Sequence, residues 1–524
     1  MSTKELESNL AGLACRASKA FMKSIQLARP SERVCARRAR NGELVPVMSG
    51  SEGDIWLHSR YSPANEASRA VKDVAPSQLL AVAGLGNGAH VRALLESRRP
   101  HSVIVVSEPP DVLARILSEI EFETILSDER VRIVTAEEAT YELRAAFIPL
   151  ITGGLGSVIL RGIDRALPEL SEACNRAVKE VADLLSGDIT AQTRYGLLWM
   201  RNLILNFPTA ASRDFSLELP SRLTIAGAGP GLESWIDDGR TGEPILATDT
   251  AAPALEAHGV RPVAIVSVDP AVYSYHHLLC GARTDVPWMV DVAACPIIWR
   301  TVETAVPIAG EHPLLRLLRG DNALPWPAFR GSDVTQAAIS VSQALGAAQI
   351  ATAGADYAYP YEKSYVRGSY VDTLFEQRAT RLSGAITLEY QFCYRSPQAR
   401  RDSDGRVRTP ELDAARLATF ELKQRPANRP SPGRMHPGLP PGERWAIDRL
   451  GSIATQLTGL PSPGPQSSTE YYLSLSRHER ALLAGCIPSA LAFSHRHSLA
   501  WHEALETAVR RFCRLVSAVY PKMP

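Results

Sequence analysis

The run Leu223-Thr224-Ile225-Ala226-Gly227-Ala228-Gly229-Pro230-Gly231-Leu232-Glu233 decides the fold, read with Pro244-Ile245-Leu246-Ala247-Thr248-Asp249-Thr250 and with Pro262 to Val268, which ends in Asp269-Pro270. Each apolar run is short and stops abruptly. Helix-forming sequence lies between them, and Ala251 to His258 closes at Gly259 as a helix C-terminus does. Strand, helix, strand, helix, strand predicts a parallel sheet with right-handed crossovers. Ligands of such sheets bind at the carboxyl ends of the strands, beside the switch point. A glycine turn that opens a helix offers free N–H groups and a positive dipole end, which suit a phosphate. The same turn is equally explained as steric closure of a strand.

Outward from this stretch, Trp288 to Ala293 reads as a fourth strand with Asp291 near its carboxyl end, and Gln349 to Ala353 as a fifth, running into Gly354-Ala355-Asp356. His276 and His277 follow Asp269 closely enough to bring one imidazole to the site. Gly331-Ser332-Asp333 opens a helix through Ala344, either as a cap or as a second anion site. Tyr365-Val366-Arg367-Gly368-Ser369-Tyr370 sets an arginine among tyrosines. The expected nucleotide-binding set is therefore Gly227, Gly229, Pro230, Gly231, Leu232, Thr250, Gly331, Ser332, Asp333 and Asp356. The expected chemistry falls to Asp249, Asp269, His277 and Arg367. Amides and Arg367 would stabilise charge on a departing phosphate, and a carboxylate or His would take a proton from an incoming hydroxyl. No set of metal ligands is expected.

Upstream, Leu79-Leu80-Ala81-Val82-Ala83 turns at Gly84-Leu85-Gly86-Asn87-Gly88, and a second strand, Ser102 to Val106, ends at Ser107-Glu108. An acid about twenty positions after the glycines suits a ribose, and S-adenosylmethionine methyltransferases share the arrangement. No methyltransferase active-site motif follows in Val131 to Val134 or in Thr152-Gly153-Gly154-Leu155-Gly156, so a scaffold role is preferred for Gly84 to Glu108. The fold class is α/β, with two Rossmann-like parallel-sheet domains in tandem, a helical N-terminal leader and a C-terminal helical region. The expected divisions are a leader (1–45, with the basic Arg33 to Arg40 as a solvated helix end), an N-terminal domain (46–165) and a helical connector (166–215). They continue with a central catalytic domain (216–400), a Pro/Gly-rich linker (401–468, with a short helix near Trp445 to Leu457) and C-terminal helices (469–524).

At 524 residues the chain exceeds one compact core. A net charge of +1 gives no global pull toward nucleic acid or anionic lipid. The eight cysteines are scattered without a Cys-x-x-Cys pair, which points to a reducing compartment and away from a zinc site. With Lys4, Glu5 and Glu7 and no continuous apolar core, no signal peptide is expected at the N-terminus, and neither Val334 to Ala355 nor Ala145 to Leu160 is expected to cross a bilayer. A cytoplasmic protein without nucleic-acid or membrane partners is expected.

The series GAGPGLE, ATDTAAPALEAHGVRP and VSVDP, in that order and spacing, resembles the family that joins archaeal 6-hydroxymethylpterin diphosphokinases (MptE-like) and the motility-associated factor (Maf) flagellin glycosyltransferases. Leu57-His58-Ser59-Arg60-Tyr61-Ser62-Pro63-Ala64-Asn65-Glu66-Ala67 resembles the lead-in of Maf proteins, and Gly354 to Tyr359 and Tyr365 to Ser369 resemble the family's G-x-D-x-x-Y and Y-x-R-G-S blocks. The extra terminal domains favour the Maf branch. That resemblance implies a CMP-activated nonulosonic acid sugar as donor substrate and Ser or Thr of flagellin as acceptor. It fixes no cofactor, and Mg²⁺ is an optional ion. The alternatives are an ATP-dependent diphosphokinase with Mg²⁺ on Asp249 or Asp269, and a non-catalytic flagellar scaffold.

Overall fold

In a computed structural model, the chain is described over residues 3–50, 53–74, 78–97, 100–213, 217–320, 324, 326–424, 441–464 and 466–521. It folds as two compact units, one built from residues 1–194, 461–480 and 490–506, the other from 195–460, 481–489 and 507–524.

The first unit holds a four-stranded parallel sheet of β4 (Leu79–Ala83), β5 (Ser102–Val106), β6 (Val131–Val134) and β7 (Leu155–Val158), in the order β6-β5-β4-β7. Every residue of β4 is fully buried, as expected of a parallel strand covered on both faces. The leader departs from expectation. Helices Thr3–Ala14 and Lys19–Leu27 form, but β1 (Val34–Arg38), β2 (Leu44–Gly50) and β3 (Gly53–Trp56) make an antiparallel meander. The basic run Arg33 to Arg40 is thus mostly a strand, because Gly42 (φ +91°) turns it back on Leu44 to Gly50, where Val45 and Val47 are buried. The first glycine turn closes on itself: Glu108 accepts the N–H groups of Leu85 (2.9 Å) and Gly86 (2.8 Å). Glu108, the acid that would suit a ribose, serves the turn, and His58 lies where any Cβ on Gly86 would come within 2.3 Å.

The second unit holds a six-stranded parallel sheet: β8 (Arg222–Ala226), β9 (Ile245–Thr248), β10 (Ala264–Ser267), β11 (Trp288–Asp291), β12 (Ala305–Ile308) and β13 (Gln349–Ala353). Helix Val334–Ala344 packs Ala337, Ala338, Ile339 and Val341 on Leu223, Leu246, Val266 and Ile308. β12 was not expected. It is four residues long and contains Pro307, which the sheet tolerates because β12 is an edge strand. Helix Pro168–Ala211, expected from period alone, forms with 44 residues. Within the stretch expected as linker, β15 (Arg400–Arg401) and β16 (Arg406–Arg408) pair with β14 (Tyr359–Pro360), and Pro410–Gln424 is helical. Helix Gly442–Thr458 contains the expected Trp445 to Leu457, and residues 425–440 of that linker lie outside the described residues. Among the described residues no helix is long and apolar enough to cross a membrane.

Candidate active site at the carboxyl edge of the central sheet

The sheet order is β12-β11-β10-β9-β8-β13, so β9 to β12 step outward on one side of β8 and β13 returns on the other. This reversal is the switch point. Because all six strands are parallel, Gly227, Asp249, Asp269, Asp291 and Gly354 end up along one edge.

At β8 and β13 the glycine turn departs from a phosphate cradle. Gly227 N–H donates to Ala353 O (2.8 Å), Gly229 N–H to Gly354 O (2.8 Å), and Gly231 N–H to Asp356 Oδ2 (2.9 Å). Leu232 N–H is taken by Gly229 O (3.1 Å), and Pro230 has no N–H to give. A carboxylate therefore stands where an anion was expected, capping the seven-residue helix Gly231–Asp237. A Cβ on Gly229 would lie 2.2 Å from Asp356 Oδ2, and one on Gly231 2.3 Å from Oδ1. The glycines admit Asp356, which is the steric reading of the turn. Burial pushes the Asp356 carboxyl upward against the opposing pull of Gly231 N–H and Arg406.

The second expected anion site is likewise a cap. Asp333 accepts Gln336 N–H (2.9 Å) and the Tyr357 hydroxyl (3.1 Å), while Ser332 N–H donates to Gln336 Oε1 (2.8 Å). Gly331 (φ +135°) is needed because a Cβ there would meet Gln336 at 2.4 Å.

The ends of β9 and β10 carry the more reactive arrangement. Asp249 is only 3% exposed; its Oδ2 accepts Ser267 Oγ (2.7 Å) and its Oδ1 accepts Thr250 N–H (2.8 Å) and Thr250 Oγ1 (3.2 Å). Thr250 Oγ1 lies 3.3 Å from His277 Nε2. A threonine hydroxyl has one proton, and here it is directed at Asp249. The network thus assigns the imidazole proton to Nε2, which donates to Thr250 and leaves Nδ1 with its lone pair. Nδ1 is buried with no partner. Asp269 holds the neighbouring turn: its Oδ1 accepts Ala271 N–H (2.7 Å) and its carbonyl accepts Cys295 N–H (3.0 Å). Among the described residues no group of three or more His, Cys, Asp or Glu side chains is placed to hold a metal ion.

Residues 363–370 connect the two regions. Val366 N–H donates to Ala228 O (2.9 Å), Arg367 N–H to Glu233 Oε1 (2.7 Å), and Tyr370 stacks on His276 (4.6 Å, 9°) and meets the His277 ring edge-on (6.0 Å). Partial burial raises the Glu233 carboxyl, but Lys363 and Arg367 outweigh it and hold the group below its ordinary range. The Arg367 side chain is exposed beside the glycine turn.

Two positioning residues escaped the sequence reading. Asn206 Nδ2 donates to Val292 O (2.9 Å) and Ala294 O (2.8 Å), and Asn202 Nδ2 to Pro270 O (2.9 Å) and Ala293 O (3.1 Å). They fix the loops after β10 and β11. Their signal was present in the sequence: two amides at i and i+4 among Met200, Leu203, Ile204 and Phe207, all buried. Asn206→Leu leaves two carbonyls unpaired in the interior and is expected to cost about 2 kcal/mol, read by denaturant unfolding. An unchanged midpoint would show that the loops are held by other contacts.

An α/β fold of two Rossmann-like units, with polar groups converging on the switch-point edge of the second, defines the class. The family model for 6-hydroxymethylpterin diphosphokinase MptE-like proteins matches residues 201–362. An uncharacterized protein of Treponema pallidum (strain Nichols) is 30% identical over 169 residues, which cover 30% of this chain and 80% of that protein. Another from the same organism is 30% identical over 138 residues, or 25% of this chain and 48% of its own length. The structure of a Maf glycosyltransferase from Magnetospirillum magneticum AMB-1 matches with a TM-score of 0.52 at 15% identity, over 99% of this chain and 96% of that one. The chain belongs to the MptE-like family, and its fold is that of the Maf structure.

Proposed function

We propose that the chain is a cytoplasmic Maf-type glycosyltransferase that moves a nonulosonic acid sugar from a CMP-activated donor to Ser or Thr of flagellin. The observation that carries this reading is the Asp249–Thr250–His277 relay with an unpartnered Nδ1, set at the switch-point edge beneath the segment that bears Arg367. In the reaction, the acceptor oxygen bonds to the anomeric carbon as the bond from that carbon to the phosphate oxygen breaks. The acceptor proton goes to His277 Nδ1, and CMP leaves with its electron pair. Asp249 stabilises the imidazolium through Thr250, and Arg367 meets the charge on the departing phosphate or on the sugar carboxylate. Because Nδ1 is buried, the side chains around it have to shift for a hydroxyl to reach it.

His277→Ala is expected to lower transfer by about a hundredfold or more while leaving CMP binding intact. CMP at a hundred times its Kd should add about 2.7 kcal/mol of stability, a rise of a few degrees in Tm, which Arg367→Ala reduces. Mass spectrometry of flagellin from cells with and without the protein decides the class: an unchanged flagellin mass sinks the proposal. The family match itself supports a second reading, the diphosphokinase. Stabilisation by ATP with Mg²⁺, and none by CMP, would favour it. No shift with either would favour the scaffold.

A further inference from the structure

The first unit contains a cavity of about 850 Å³, lined on one side by the helix Pro63–Asp73 and on the other by residues 156–161 of and after β7. β7 ends the sheet order, so its outer side is open. Leu79 N–H donates to Gly154 O (3.2 Å) in the register Leu79↔Leu155. In a parallel ladder this turns the even-numbered residues of β7 toward β4, and directs the N–H and C=O of Leu155 and Ser157 outward. Gly156 removes a side chain from the middle of that edge, a feature of strands that another backbone approaches closely. The helix presents Ser62, Asn65, Arg69 and Ala70 to the groove, and Arg161 closes one end. Arg69 and Arg161 are exposed, and neither forms an ion pair among the described residues. The acid in the wall, Glu66, is already satisfied by Ser59 N–H (2.8 Å) and by His58 (3.6 Å).

We infer that this groove takes an extended acidic peptide as an added strand on β7. Main-chain bonds to Leu155 and Ser157 supply the ladder, alternate side chains face the helix, and carboxylates meet Arg69 and Arg161. The unpaired edge calls for a backbone, and the two free guanidinium groups call for negative charge.

The test uses the full chain and three N-terminally fluorescein-labelled decapeptides: alternating valine and glutamate, alternating valine and lysine, and all glutamate. Anisotropy is expected to show saturable binding of the valine–glutamate peptide, at least tenfold tighter than of either other peptide. Ser157→Pro removes an outward N–H without touching the bonds to β4 and should weaken binding at least tenfold. Arg69→Glu with Arg161→Glu should do the same and abolish the preference over the lysine peptide. If Ser157→Pro does not fold, protection of the Ser157 amide from hydrogen exchange by the bound peptide replaces it. Equal binding of all-glutamate overturns strand addition in favour of simple charge attraction. Absent saturation, or unchanged binding in both variants, overturns the site.

Discussion

Gly229→Ala is expected to destabilise the second unit by about 3 kcal/mol, and Gly231→Ala by about as much, but only the second is relieved by also making Asp356→Gly. The difference lies in what each added methyl meets. On Gly231 all three nearest atoms belong to the Asp356 side chain, the closest at 2.3 Å. On Gly229 the methyl also lies 2.7 Å from Gly354 O, a main-chain atom that already accepts the Gly229 N–H. Removing the carboxylate clears the first obstruction and leaves the second. Denaturant unfolding of six proteins, the wild type, the three single variants and the two doubles with Asp356→Gly, provides the two cycles. Additive costs in the Gly231 pair would mean that the turn does not close around Asp356.

Asp291→Asn is expected to flatten the stability of the protein between about pH 4 and pH 7 and to raise it at pH 8 by about 2 kcal/mol. Burial at the end of β11 pushes the Asp291 carboxyl up to about 7, against the opposing N–H groups of Gly310, Ala293 and Val292. A folded-state value above the unfolded one means that below about pH 4 both states hold the proton and stability is highest. As pH rises to 7 the unfolded chain releases the proton and the folded one does not, so this contribution falls by about 1.4 kcal/mol per unit, up to about 4 kcal/mol, and then levels off. Asparagine keeps an oxygen for Gly310 N–H, 3.2 Å from Oδ1 in the wild type, and has no carboxyl proton to lose. The measurement is the difference between wild type and variant at several pH values, which cancels the other buried carboxyls. Parallel curves would place the Asp291 titration in its ordinary range.

The central sheet was legible where its strands are buried on both faces, since such strands are continuous apolar runs that stop at Gly or Asp. β12 was hidden because four residues with a proline carry no period, and β1 because a strand with Arg37 and Arg38 looks like a charged helix end. For the site, strand order brought Asp249, Thr250 and His277 together from local patterns alone. The state of the glycine turn was not readable, since Asp356 reaches Gly231 across 125 positions and nothing local marks the approach. Asn202 and Asn206 lie on the buried face of a helix whose aliphatic period masks them.

Both glycine turns of this chain hold a carboxylate supplied from the end of a neighbouring strand, Glu108 in one unit and Asp356 in the other. A group joined to the turn by the chain itself is present at a high effective concentration, so any free phosphate must compete with a rival that cannot diffuse away. In this chain each G-x-G fingerprint therefore marks a position already filled from within.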